Sequence, residues 1–174
     1  MRVTGGSLKG RIIPSPKNNV RPTQSKIRQA VFNMIGNDLS GFRWVDMFAG
    51  SGIMGIEAIS RNIDTAVFID IDRRNLEQIK ADVTQMQIPS EKYQITKRSA
   101  LDMMGEFTKE NDIIYLDPPF GFKRMDELIS GMEENFRGTL IWELPVDNGS
   151  RFQYSISNKR YGKVSIIVAR KDEK

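Results

Sequence analysis

Two short segments of the sequence carry residues whose types and spacing could do chemistry. The first is Asp117-Pro118-Pro119-Phe120, which follows the apolar run 113–116. A carboxylate accepts hydrogen bonds, and two prolines remove backbone donors while leaving their carbonyls as acceptors. Asp117 and the Pro118 carbonyl could therefore receive both N–H groups of an exocyclic amine, while Phe120 stacks on the base. We predict these four residues to be a catalytic site for a base that has been taken out of its stack.

The second segment is a glycine-rich loop that should join a strand to a helix. Gly50, Gly52 and Gly55 match the spacing G-x-G-x-x-G, and Asp70 follows Gly50 at the distance, about 20 residues, expected of an acid that holds a ribose. A dinucleotide and S-adenosylmethionine both present such a ribose. Asp46 lies just before the loop, where a carboxylate would repel a pyrophosphate but could serve an ammonium group, which favours S-adenosylmethionine. The predicted cofactor-binding residues here are Asp46, Phe48, Ala49, Gly50, Ser51, Gly52, Asp70 and Ile71.

The composition restricts the chemistry further. The 174 residues include no Cys and no His, which excludes disulfides, thiolate nucleophiles, an imidazole base and metal sites built on these ligands. We therefore expect no metal. The sequence has no apolar run near the ~20 residues of a membrane span and no apolar segment typical of a signal peptide. The expected location is the cytoplasm, with no membrane partner.

Charge is distributed unevenly along the chain. The net charge is +4, yet residues 1–37 contain seven basic residues and no acidic ones, so the rest, with all 22 acidic residues, is net acidic. A basic arm ahead of an acidic body is typical of a polyanion-binding extension. We divide the chain accordingly into an extension, 1–37, and a body, 38–174.

The body predicts an α/β fold. Strand patterns at 43–48, 65–70, 93–97, 112–117 and 139–144 alternate with helical patterns at 53–60 and 73–86 and around Met125–Met132. Such alternation indicates a Rossmann-like, doubly wound, mostly parallel sheet. Two strand patterns within 152–170 leave no room for a helix between them. They predict a hairpin, and hence a seven-stranded sheet with an antiparallel last strand.

The extension predicts a β-hairpin followed by a helix. Two short strand patterns within residues 2–13 flank a glycine-containing turn, and the Pro- and Asn-rich stretch after them indicates a linker. Thr23 is a plausible N-cap, and Ile27, Val31 and Met34 give the helix an apolar face. Gly36 or Asn37 should end it.

Taken together, these motifs resemble a known family. "VDMFAGSG", "FIDID" and "DPPF" are similar to motifs of class I S-adenosylmethionine-dependent amino-methyltransferases. With "MRVTGGSLKGRIIPSP", "RPTQSKIRQAVFNMI", "DMFAGSGIMGIEAISR" and a terminal "KRYGK", nearly the whole chain resembles the RsmD-type bacterial 16S ribosomal RNA guanine-N2 methyltransferases. The resemblance implies methyl transfer from S-adenosylmethionine to a guanine N2, leaving S-adenosylhomocysteine. It also implies 16S ribosomal RNA as the partner, within a 30S subunit or an assembly intermediate, and we expect a monomer.

The resemblance implies roles for further residues. Ser99, Ala100 and Leu101, which follow the third strand, would bracket the adenine of the cofactor. Six basic residues of the arm and one threonine would contact RNA: Arg2, Lys9, Arg11, Arg21, Thr23, Lys26 and Arg28. Three other functions stay open on the residues alone. They are methylation of adenine N6 in DNA or RNA, nicotinamide-dependent oxidation, and RNA binding without catalysis.

Overall fold

The computed structural model describes residues 1–14, 23–107, 109–145 and 155–170. The helices are α1 (Ser25–Ile35), α2 (Ile53–Ile59), α3 (Arg73–Gln85), α4 (Ala100–Met103) and α5 (Met125–Asn135), with a short 3-10 turn at Ser90–Lys92. The strands are β1 (Arg43–Asp46), β2 (Thr65–Asp70), β3 (Tyr93–Lys97), β4 (Asp112–Leu116), β5 (Thr139–Pro145), β6 (Ser155–Tyr161) and β7 (Val164–Arg170). No helix among these is long and apolar enough to cross a membrane.

The seven strands form one sheet in the order β3-β2-β1-β4-β5-β7-β6. Strands β1 to β5 are parallel, and β7 inserts antiparallel between β5 and β6. The Rossmann-like fold with an antiparallel last strand, predicted from the sequence, is confirmed. The chain runs outward from β1 to β3 and returns to β4 on the other side of β1, so the topological switch point lies between β1 and β4. Ligands of open α/β sheets bind at such a point, beyond the carboxyl ends of the strands.

The central strands are apolar on both faces because helices cover both sides of the sheet. Every residue of β4 is buried. On one face, Phe32 of α1 stacks on Trp44 and Trp44 stacks on Tyr115, with 5.5 Å between ring centroids in both pairs. At the amino ends of β1 and β4, Arg43 donates two hydrogen bonds of 2.7 Å to the Asp112 carboxylate, which fixes the pairing of these two strands.

The N-terminal segment packs on the same face as α1. Val3 and Ile13 are buried in a core cluster that also contains Phe32 and Trp44. The predicted hairpin is only partly correct, because residues 2–13 form a single antiparallel bridge, between Arg2 and Ile12, with turns between them and no regular strands. Backbone hydrogen bonds between its two arms, such as that from the Val3 N–H to the Arg11 carbonyl at 2.9 Å, hold the segment together with its contacts to the body.

Helix α1 begins later than expected. Gln24 occupies the N-cap, its side chain makes no capping hydrogen bond, and the prediction of Thr23 as the cap is wrong. The Thr23 hydroxyl points to Asp117 and so is not used by the helix. Gly36 ends the helix as predicted, with a positive φ of 109°. The predicted linker before Thr23, including Arg21, and the first residues of the predicted hairpin strand at 152–154 lie outside the described residues.

Candidate active site

The glycine-rich loop connects the end of β1 to α2 through a turn that needs glycine. Gly50 and Gly52 have φ of 51° and 72°, in the left-handed region that other residues rarely adopt. The Gly52 N–H donates to the Ala49 carbonyl at 2.6 Å, and the Ala49 N–H donates to Ile69 of β2 at 2.9 Å. The loop therefore folds tightly over the carboxyl edge of the sheet.

Gly55, the third glycine of the spacing, serves packing. A Cβ at Gly55 would lie 2.3 Å from Cε1 of Phe68, whose ring is buried under α2. A Cβ at Gly52 would lie 2.7 Å from Cγ1 of Ile79 on α3. These contacts explain why the helix that starts at the loop can lie so close to β2 and α3.

Asp70, at the end of β2, joins the glycine loop to the start of α3. Its Oδ2 accepts from the Gly50 N–H at 2.8 Å and from Nδ2 of Asn75 at 3.0 Å, while Oδ1 accepts from the Asp72 N–H at 2.8 Å. The carboxylate thus fixes the glycine loop and the start of α3, while its role in holding a ribose stays a prediction. Asn75 was missed by the sequence analysis because a lone Asn on a helix carries no distinctive pattern.

Asp46 is the most unusual side chain of this edge. It is only 1% exposed, and its Oδ1 has no hydrogen-bond partner among the described residues. Burial, followed by the nearby charges of Asp117 and Asp70, raises the pKa of the Asp46 carboxyl well above its usual range, although the Phe48 backbone N–H opposes this shift. A buried acceptor without a partner is costly. This carboxyl is therefore suited to receive a cationic or N–H-donating group of a ligand.

The residues predicted to bracket adenine surround the next strand end. Ser99 caps α4, because its hydroxyl accepts from the Leu101 N–H at 3.3 Å, and Ala100 is buried. Ile71, which follows Asp70, is a large apolar side chain that is 72% exposed. The ends of β2 and β3 are adjacent, so an apolar surface lies next to the ribose-binding acid that the sequence predicts.

The Asp-Pro-Pro-Phe segment leaves the end of β4 as a fixed turn. Pro118 is buried, whereas the Phe120 ring is 95% exposed. The Phe122 N–H donates to the Pro119 carbonyl at 3.0 Å, with Gly121 at a φ of 79° inside the turn. Such an exposed ring on a rigid turn has little packing role and is available to a ligand.

Phe122 connects this turn to the glycine loop. Its ring meets the Phe48 ring edge-to-face, with centroids 5.4 Å apart. The Met47 N–H also donates to the Tyr115 carbonyl at 3.1 Å, so the chain segments after β1 and β4 stay side by side. Phe122 was not predicted, because only the turn geometry brings it back to Phe48.

Strand β5 contributes a further acidic side chain, Glu143, near the carboxyl edge. The buried Tyr115 hydroxyl donates to the Glu143 carboxylate. Burial, and then the charges of Glu143 and Asp117, raise the pKa of Tyr115 well above its usual range. Tyr115 therefore stays protonated and serves as a donor to Glu143. The negative potential from Asp70, Asp117 and Glu143 favours a positively charged ligand at this edge.

A buried ionic network connects the N-terminal segment to α2. Glu57 is fully buried and accepts hydrogen bonds from Thr4, Arg28 and Arg61. The Arg28 guanidinium also donates to the Thr23 carbonyl at 2.5 Å and to the Arg2 carbonyl at 2.7 Å. Arg28 was predicted to bind RNA, and this is wrong: at 1% exposure its guanidinium is committed to protein acceptors and cannot reach a phosphate.

The other residues predicted to contact RNA are placed differently. Arg2, Lys9, Arg11 and Lys26 are exposed, and Thr23 is half-buried with its hydroxyl 3.5 Å from Oδ2 of Asp117. Arg21 lies outside the described residues. Thr23 thus connects the basic extension directly to the Asp-Pro-Pro-Phe turn.

Sequence comparison places the chain among known proteins. The family model described as "Conserved hypothetical protein 95", which is the RsmD family, matches residues 1–144. The chain belongs to this family. It is similar to YlbH of Bacillus subtilis (strain 168), with 33% identity over 137 residues, which cover 77% of this chain and 74% of that protein. It is also similar to the Haemophilus influenzae protein named "Ribosomal RNA small subunit methyltransferase D", with 30% identity over 138 residues, covering 78% and 72% respectively.

The fold of the RsmD-type family agrees with this assignment. The solved structure of yhhF from Escherichia coli superimposes with a TM-score of 0.83 at 25% identity, covering 97% of this chain and 96% of that chain. The family recognised from the sequence motifs is thereby confirmed. In this RsmD-type chain, the matched residues 1–144 include the N-terminal segment, the glycine loop and the Asp-Pro-Pro-Phe turn together.

Proposed function

We propose that this protein transfers a methyl group from S-adenosylmethionine to the exocyclic N2 of a guanine in small-subunit ribosomal RNA. The observation that carries the proposal is the position of the Asp-Pro-Pro-Phe turn at the topological switch point. There it lies beside the glycine loop, through the Phe48–Phe122 contact, and close to the Asp46 carboxyl, whose Oδ1 has no partner among the described residues. A base-binding turn and a cofactor loop are thus held next to each other.

S-adenosylmethionine is the cofactor, and the residues present fit it. Gly50 and Gly52 shape the tight loop that would face its amino-acid part, and Asp46 offers a buried acceptor for the cationic side. Asp70 would hold the ribose, and Ile71, Ser99, Ala100 and Leu101 would surround the adenine. When bound, the cofactor supplies an electrophilic methyl group on a sulfonium. No activation by a metal is required of the protein.

The protein contributes orientation and charge stabilisation. Asp117 and the Pro118 carbonyl accept the two N–H groups of the amine and aim its nitrogen lone pair at the methyl carbon. As the nitrogen attacks, positive charge grows on it, and the Asp117 carboxylate stabilises that charge. Phe120 stacks on the extracted base. The bond from the methyl group to sulfur breaks as the bond to nitrogen forms, and the amine then loses one proton to solvent, which restores its neutral charge.

Two observations support ribosomal RNA as the substrate. The Haemophilus influenzae relative bears a name that specifies the small ribosomal subunit. The N-terminal extension of this chain, 1–37, carries seven basic and no acidic residues, and Thr23 brings it to the catalytic turn. We further expect a monomeric, cytoplasmic protein that acts on a 30S subunit or on an assembly intermediate.

A transfer assay with tritiated S-adenosylmethionine tests this function. The substrates are free 16S ribosomal RNA, 30S particles, 23S ribosomal RNA and duplex DNA of matched length. We expect label in 16S RNA or 30S particles, and its loss with Asp117→Ala while cofactor binding survives. Label in DNA alone, or full transfer by Asp117→Ala, would contradict the proposal.

A further inference from the structure

An open groove runs between α1 and the β6–β7 hairpin. The part at the hairpin turn has a volume of about 380 Å³. It is lined on one side by Gln24, Lys26 and Ile27, and on the other by Tyr161, Gly162, Lys163 and Val164. A second hollow, about 290 Å³, continues between the same two elements and is lined by Asn33, Met34, Ser157, Lys159, Val168 and Arg170. We call both parts together the hairpin groove.

The two sides of the hairpin groove come from two segments that lack acidic residues. Residues 1–37 contain no Asp or Glu, and neither does the β6–β7 hairpin, residues 155–170. The exposed basic side chains along the groove are Lys26 on α1 and Lys159, Lys163 and Arg170 on the hairpin. Segments more than a hundred residues apart in sequence thus build one surface with four cations, in a body that is otherwise net acidic. Such a surface matches a polyanion.

The end of the hairpin groove at the hairpin turn lies at the edge of the sheet that holds the candidate active site. Val164, the first residue of β7, pairs with Pro145 at the carboxyl end of β5, so the hairpin turn projects from the carboxyl edge. On the opposite side, Gln24 directly follows Thr23, whose hydroxyl is 3.5 Å from the Asp117 carboxylate. A strand whose target nucleotide reached Asp117 would therefore have its neighbouring phosphates at the mouth of the groove.

We infer that the hairpin groove binds the phosphodiester backbone of the RNA strand next to the target nucleotide, with Lys26 and Lys163 contacting its phosphates. This inference rests on the proposed function for its substrate. The groove is held open by the structure itself: Tyr161 and Val164 pack against the core, and Arg160 donates to the Gly162 carbonyl at 3.1 Å inside the turn. Backbone contacts of this kind set the position of the strand without reading its sequence. Such backbone contacts would hold the RNA strand so that the target base reaches the Asp-Pro-Pro-Phe turn.

The test uses the full chain and a fragment of 16S ribosomal RNA. Filter binding at several salt concentrations is measured for wild type, for the double variant Lys26→Gln with Lys163→Gln, and for Lys80→Gln. Lys80 is an exposed control on α3, which packs on β2 and β3 at the opposite end of the sheet. The slope of log affinity against log salt is negative, and removing two phosphate contacts should reduce its magnitude by about 1.4, since each contact contributes about 0.7 on a single strand. Both lysines are exposed, and thermal unfolding and cofactor affinity should stay at wild-type values.

The outcomes separate the groove from the proposed function. If the double variant kept the wild-type RNA affinity and salt slope, the hairpin groove would not bind RNA. An equal loss of RNA affinity in Lys80→Gln would also contradict the inference, because it would indicate a general effect of charge. Retained RNA binding together with loss of binding to an acidic protein of the ribosomal particle would also overturn it, since the partner would then be a protein. If the wild-type protein bound RNA through these lysines but methylated no ribosomal RNA, the proposed function would be wrong and RNA binding by the hairpin groove would still be supported.

Discussion

The Thr23 hydroxyl lies 3.5 Å from Oδ2 of Asp117, although 94 residues separate them in sequence. The carbonyl of the same threonine accepts from Arg28, whose guanidinium is paired with the buried Glu57 of α2. Helix α2 begins at the glycine loop, so a continuous chain of contacts joins the glycine loop, the N-terminal segment and the Asp-Pro-Pro-Phe turn. The predictions below follow from this arrangement.

Thr23 should position the Asp117 carboxylate. Thr23→Val keeps the shape of the side chain and removes the hydroxyl. Losing one such hydrogen bond costs about 1 kcal/mol, so kcat for methyl transfer should fall about fivefold while KM for S-adenosylmethionine stays unchanged. Single-turnover kinetics with ribosomal RNA measure this change. Thr23→Ser should restore kcat; a serine variant as slow as the valine variant would instead assign Thr23 a packing role.

Phe120 should bind the base and contribute nothing to folding. Because its ring is 95% exposed, Phe120→Ala should leave the free energy of unfolding unchanged. Stacking on a base contributes about 1–3 kcal/mol, so kcat/KM for RNA should fall about five- to 150-fold. Phe120→Trp, which keeps an aromatic face, is the control and should retain most of the activity. Wild-type kcat/KM in Phe120→Ala would refute the stacking role.

Asp46 should make cofactor binding depend on pH. Burial raises the pKa of its carboxyl, so at a pH between the ordinary pKa and the raised one the folded protein holds a proton there that the unfolded chain has lost. A cationic ligand favours the ionised form, so binding should release this proton, and cofactor affinity should rise with pH up to the raised pKa. Calorimetry in buffers of different ionisation enthalpy measures the proton release, which Asp46→Asn should abolish.

The same pKa shift has a consequence for stability. Between the ordinary carboxyl pKa and the raised one, the folded state binds more protons than the unfolded state, so the stability of the wild type should fall as the pH rises. Asp46→Asn removes this dependence. Asp64→Asn, at the far edge of the sheet where Asp64 accepts from the Gly41 N–H, is the control for both experiments. An equal pH dependence in wild type and Asp46→Asn would rule out this role.

Glu57 should hold the N-terminal segment on the body. Glu57→Gln leaves the buried guanidiniums of Arg28 and Arg61 without a counter-charge, and breaking such a buried ion pair costs about 3–5 kcal/mol. Urea unfolding measures the loss. Glu77→Gln, in the exposed pair with Arg73 on α3, is the matched control and should cost no more than about 0.5 kcal/mol. Equal stability losses in the two variants would show that the network is not what anchors the segment.

The sequence predicts those parts of this protein that depend on local patterns. Gly50, Gly52 and Asp70 follow strands whose apolar runs are unmistakable, and the carboxyl ends of parallel strands must share one edge. The Asp-Pro-Pro-Phe turn was located in the same way. The antiparallel β7 followed from the short spacing between the last two strand patterns, which leaves no length for a crossover helix.

The features that the sequence analysis missed depend on pairing between distant residues. In the sequence, Arg28 cannot be distinguished from the other basic residues of the extension, such as Lys26 and Arg2. In the structure it is buried, because it pairs with Glu57, 29 residues away. Thr23 is of a residue type that is common at N-caps, yet its hydroxyl faces Asp117. Phe122 contacts Phe48 only because the turn at Gly121 reverses the chain. Partners of this kind become visible only once the sheet order is known.

The nucleoside formed in the RNA tests the central claim most directly. Small-subunit RNA methylated by the wild type with isotope-labelled S-adenosylmethionine is digested to nucleosides and analysed by mass spectrometry against synthetic standards. We predict labelled N2-methylguanosine, absent from a parallel reaction with Asp117→Ala. Labelled N6-methyladenosine, or a methyl group on any ring nitrogen or ribose, would contradict the account of Asp117 and the Pro118 carbonyl as acceptors for the exocyclic amine of guanine.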